Sequence, residues 1–147
     1  MVVGGIALVV WAGVVVWCDV TTRHIPNALS VVGATASVAV AFVKGDYAAL
    51  AAGAAWWLWA VCAGLLHPRA RAGGADAKVG ITIGVVSTLA HPAGAFVALG
   101  AAGMCHALAQ GWGRWGGGGV ATKETMPHAP AMMAGLATAT AWGQLVG

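Results

Sequence analysis

"DVTTRHIPNALS", Asp19 to Ser30, closes the first apolar run of the chain and opens the second. The eighteen residues before it carry no formal charge. Pro26 biases Ile25 away from the α region, so a helix arriving from the N-terminus cannot run on into the next. Asn27 is a favoured N-cap residue, which predicts a second helix from Ala28. The stretch reads as helix, stop, cap, helix. Asp19 then sits near the end of the first helix, where an apolar segment meets water.

The rest of the chain repeats this alternation. Of its 147 residues, 60% are hydrophobic and only 7% are charged, against about 25% charged in an ordinary soluble domain. So few polar groups cannot cover a water-exposed surface, and lipid is the expected solvent. Apolar runs cover residues 1–18, 28–43, 47–66, 78–90, 92–110 and 129–146. At roughly 20 residues per span, the length suits a bundle of about six transmembrane helices in a single domain. The N-terminal run has no Lys or Arg before it, so it lacks the positive region of a signal peptide and reads as a retained first helix.

The breaks between runs set the expected orientation. The first, third and fifth must share a side. They hold Arg23, Arg69, Arg71, Lys78, Arg114 and Lys123, six of the seven basic residues. By the positive-inside rule these breaks face the cytoplasm and both termini face outside. The glycine-rich fifth break, "GWGRWGGGGV", reads as a mobile loop with Trp112 and Trp115 on the membrane surface. It lacks a Walker ending, so no phosphate site is expected there.

Other features read as structural. "GITIG", Gly80 to Gly84, is a small-xxx-small pattern that lets a neighbouring helix approach closely. The tryptophans Trp56, Trp57 and Trp59 fall inside a run rather than at an interface, and are expected to pack on glycine-rich neighbours. Cys18, Cys62 and Cys105 stand singly, with no CxxC pair, so neither a zinc site nor a redox motif is indicated. His24, His67, His91, His106 and His128 are too dispersed for a metal centre. No cofactor and no nucleic-acid partner are expected.

Four acids remain: Asp19, Asp46, Asp76 and Glu124. Asp46 falls in the tight turn "KGDY", and Glu124 in the fifth break, where a solvated position is the default. Asp19 and Asp76 each sit where an apolar helix reaches the cytoplasmic face. There an acid costs less than the roughly 3 kcal/mol of the bilayer centre. Either alone is as readily a helix cap or an ion-pair partner. Their shared depth favours more. If the first and fourth helices are neighbours, the two carboxyls can meet and hold one proton between them. One then takes a proton from water, which attacks a peptide carbonyl, while the other protonates the leaving group. Gly73 and Gly74 loosen the backbone before Asp76. Lys78 is either an electrostatic tuner of the pair or an interfacial anchor.

With these residues in place, the chain resembles the type IV prepilin peptidases, intramembrane aspartic endopeptidases of the GxGD class. "D-x5-IPN" at Asp19 to Asn27 is similar to their first catalytic motif. "GGADAK", Gly73 to Lys78, is similar to the second, G-x-G-D-x-K. "MPHAPAMMAG", Met126 to Gly135, resembles a third feature that opens the last helix. The resemblance implies cleavage of the leader peptide from a prepilin or pseudopilin at the cytoplasmic face of the inner membrane, in company with pilus-assembly machinery. It implies Asp19 and Asp76 as the catalytic pair, with Pro26, Asn27, Gly73, Gly74 and Lys78 as support. Arg23, Pro127 and Pro130 become candidate substrate contacts. Ala75 replaces the second glycine of the motif, which is expected to tighten a turn before Asp76, and His128 replaces an aromatic. The absence of CxxC pairs places the likeness in the small, peptidase-only branch that serves Flp-type pili or archaeal-type systems, without methyltransferase activity. Two other readings stand beside it: a proton or solute transporter that relays through Asp19 and Asp76, and a catalytically silent pilus-assembly scaffold.

Overall fold

The computed structural model describes residues 2–66, 74–115 and 128–146. These form six α-helices and no strand: α1 Val2–Thr22, α2 Asn27–Lys44, α3 Tyr47–Leu66, α4 Gly74–Ala90, α5 Gly94–Trp115 and α6 Ala129–Val146. His67, Arg69, Arg71, Gly73, Glu124 and Pro127 lie outside the described residues.

The helix ends follow local chemistry. α1 runs past Asp19 to Thr22, and Arg23 then takes a left-handed backbone (φ 54°). Ile25 is buried beneath the turn, and Pro26 is extended, as its ring and the next helix require. The α2 start differs from the sequence expectation. Pro26, not Asn27, occupies the cap position, and no side chain caps the helix. The Asn27 side chain is used elsewhere. α2 ends in a Schellman turn: Gly45 is left-handed (φ 67°), with Gly45 N–H donating to Phe42 O and Asp46 N–H to Ala41 O. Asp46 then caps α3, its Oδ1 accepting from Ala49 N–H at 2.9 Å.

α4 is the central helix, packed by α2, α3, α5 and α6, while α1 leans on α2 and α6. Val79, Ile83 and Val85 are fully buried along it. Small residues bring the helices together. A Cβ on Gly84 would lie 2.8 Å from the Ala52 carbonyl and 3.0 Å from Gly53 Cα, so α3 and α4 touch backbone to backbone at "GITIG". At the other glycine of that pattern, the Trp56 ring lies over Gly80. Trp57 and Trp59 instead point outward. On α1, the Trp11 indole covers Gly33 of α2 and donates from Nε1 to Leu29 O at 2.9 Å.

The larger core cluster lies under one end of the bundle. It joins Val15 of α1, Ile25 of the first turn, Val79 and Ile83 of α4, Ala98 of α5, and Ala129, Leu136 and Ala139 of α6. The outer surface is apolar: Trp17, Phe42, Val43, Phe96 and Leu145 are each at least 70% exposed, while Ser30, Ser37, Thr82, Ser87 and Thr88 are buried. Large apolar side chains thus stand on the outer surface as well as in the core. By length and composition Gly4–Thr22 and Asn27–Lys44 can each cross a membrane, and only 6% and 17% of those stretches are buried, so neither is a core helix.

Two expectations need correction. α4 begins at Gly74, ahead of the apolar run that starts at Lys78, so Gly74, Ala75 and Asp76 are helical, while Gly73 lies outside the described residues. α5 continues to Trp115, so Gly111 to Trp115 is helix rather than loop; the remainder of that break lies outside the described residues.

Candidate active site

One end of the bundle gathers parts of all three motif stretches. Asp19 lies in the last turns of α1, four residues beyond the fully buried Val15, and is itself 8% exposed. A buried carboxylate needs donors. Asp19 Oδ2 accepts from the backbone N–H of Ala129 at 2.8 Å, across 110 residues of sequence. Ala129 is the first residue of α6, and its N–H is one that the helix cannot satisfy internally. The carboxylate also stands at the positive end of the α6 dipole. Asp19 is therefore a helix cap, as one reading of the sequence allowed, but for a helix distant in the chain.

The second contact joins the other two motifs. Lys78, in the second turn of α4, donates from Nζ to Oδ1 of Asn27, the first residue of α2. The Asn27 backbone carbonyl also accepts from the Ser30 hydroxyl at 3.0 Å. Lys78 thus has a side-chain partner at the start of α2. It ties the IPN turn to the helix that carries Asp76. Asp76 falls in the first turn of α4; its side chain lies outside the described residues. The condition that helices one and four be neighbours is met only indirectly. α1 reaches α4 through the shared cluster of Val15, Val79 and Ile83 rather than along a common face.

The other candidates take their places around these contacts. Arg23 is exposed at the end of α1, and its N–H donates to the Asp19 backbone carbonyl at 3.1 Å. Pro26 is exposed on the turn, and Pro130 is half-buried as the second residue of α6. Ala75 lies in helical backbone, where alanine is favoured over glycine by about 1 kcal/mol. The expected tightening of a turn therefore does not arise. Cys18, Cys62 and Cys105 are half-buried free thiols. No group of three His, Cys, Asp or Glu is placed to hold a metal among the described residues.

Ala129 is the site residue that the sequence reading missed, since it acts through its backbone. A signal was there. "MPHAP" opens a helix with no Ser, Thr, Asp or Asn to cap it, so an acceptor had to come from another part of the fold. Chemically, the arrangement offers a buried, hydrogen-bonded carboxyl at one end of the bundle and a second acid on the adjoining central helix. No family model, curated protein or solved structure matches the chain.

Proposed function

We propose that the chain is an intramembrane aspartic endopeptidase that removes the leader peptide from Flp-type prepilins or pseudopilins at the cytoplasmic face of the inner membrane. The observation that carries this reading is the convergence at one end of the bundle. Asn27 of the IPN turn is bonded to Lys78 of the GGADAK stretch, and Asp19 is bonded to Ala129 of the MPHAP stretch. The two bonds bring together stretches that resemble three separate parts of one family's site.

The reading takes the chain as a six-span bundle with both termini outside, and α1 and α2 are long and apolar enough to cross a membrane. The exposed faces of α1 and α2 are apolar. α4 has 17 residues, about 25 Å of helix, short of a bilayer core of roughly 30 Å. Its neighbours surround it, so protein rather than lipid meets its sides.

In this reading Asp19 and Asp76 divide the hydrolytic work. One carboxylate takes a proton from a water molecule, whose oxygen attacks the scissile carbonyl carbon. The other, in its protonated form, gives a proton to the leaving amine as the C–N bond breaks. The pair ends with one proton, as it began. The test is co-expression with a Flp-type prepilin from the same genome. The reading expects the prepilin to shorten by its leader; an unshortened prepilin beside folded, membrane-inserted enzyme would count against it.

A further inference from the structure

We propose that the backbone N–H of Ala129 is a positioning group for Asp19, so that the start of α6 sets the aim of the carboxyl that works on the peptide. The inference rests on the peptidase reading above and adds a residue to it.

Asp19 is 8% exposed and Ala129 is fully buried, so the bond between them is shielded from water. It runs from N–H to Oδ2 at 2.8 Å, the length of a charge-assisted bond. A carboxyl turns freely about its last torsion unless something holds it. Here one oxygen, Oδ2, is held by a rigid helix end, which fixes the plane of the carboxyl. The α6 start is arranged around this bond. Pro130 has no N–H to offer, and the Met132 N–H is already committed to His128 O at 3.1 Å. The Ala129 side chain packs in the same core cluster as Val15, one turn before Asp19 on α1, and Val79 of α4, which fixes the helix end relative to both.

The test deletes one N–H. Ala129→Pro does so at the first position of a helix, where proline is well tolerated. A second variant replaces Ala129 by its α-hydroxy analogue through nonsense suppression, which turns the amide into an ester. Ala137→Gly, at an exposed position of the same helix, serves as the control. Each is purified in detergent and assayed with a Flp-type prepilin, with the melting temperature measured alongside. The proposal expects kcat to fall roughly ten- to a hundredfold in both N–H deletions. KM should stay within about twofold and Ala137→Gly should stay near wild type. Wild-type kcat in the folded ester variant would overturn the proposal while leaving the peptidase reading intact. A fall in kcat that tracks melting temperature equally in all three variants would mean a structural contact only. Failure of the wild-type enzyme to cleave would overturn the peptidase reading, and this inference with it.

Discussion

Lys78 and Asn27, 51 residues apart, are joined side chain to side chain, ammonium to carboxamide oxygen. The bond pins the beginning of α4 to the beginning of α2. It therefore fixes where Asp76, two residues before Lys78, stands relative to the turn that follows Asp19.

A coupled pair has a measurable signature. Asn27→Ala and Lys78→Met should each lower prepilin cleavage about tenfold, and the double variant should lose little more than either single one. The coupling free energy should be about 1 kcal/mol. Rate measurements on the four proteins check this. Strict additivity would show that the two side chains act independently.

Gly84 faces the α3 backbone with no room for a methyl group. Gly84→Ala should force the two helices apart and lower stability by about 1–3 kcal/mol. Gly13 on α1 has nothing within 4 Å of an added Cβ, so Gly13→Ala should keep or raise stability, by up to about 1 kcal/mol. Thermal unfolding in detergent distinguishes them. Equal melting temperatures for the two variants would contradict the close approach.

Trp11 lies over Gly33, and the two should trade off. Gly33→Ala should destabilise the wild-type background by about 1–3 kcal/mol and cost much less beside Trp11→Ala, which vacates the space. The same melting assay reads the difference. An unchanged penalty in the Trp11→Ala background would place the indole elsewhere.

The six-span topology predicts opposite faces for two exposed positions. Tyr47 opens α3, and His24 lies in the first turn. In a background with Cys18, Cys62 and Cys105 replaced by Ala, Tyr47→Cys should react with an impermeant maleimide in intact spheroplasts. His24→Cys should react only after permeabilisation. The reverse pattern, or labelling of both from one side, would overturn the orientation.

Much of this fold is legible in the chain because the bilayer-like pattern is coarse. Long apolar runs and short charged breaks place six helices with little ambiguity. The small-residue pattern at Gly80 and Gly84 marks a close approach of α3 and α4. What local sequence does not carry is the use of side chains at a distance. Asn27 has the chemistry of a cap, but Pro26 takes that position and frees its carboxamide for Lys78. Asp19 has the chemistry of a cap too, and serves α6 rather than its own surroundings. The glycines at 73 and 74 read as a loosened segment. Yet Gly74 is already helical, since the packing of α4 among four neighbours outweighs its weak helix propensity.

The most direct measurement of the central claim is leader cleavage by purified protein in lipid vesicles, with a Flp-type prepilin and three enzymes: wild type, Asp19→Asn and Asp76→Asn. The carboxamide that Asp19→Asn leaves can still accept the Ala129 N–H, so that fold contact survives while the acid is lost. The account predicts a shortened pilin with wild type and an intact one with each variant, at unchanged melting temperature. Cleavage that persists in either variant would contradict the paired-aspartate chemistry.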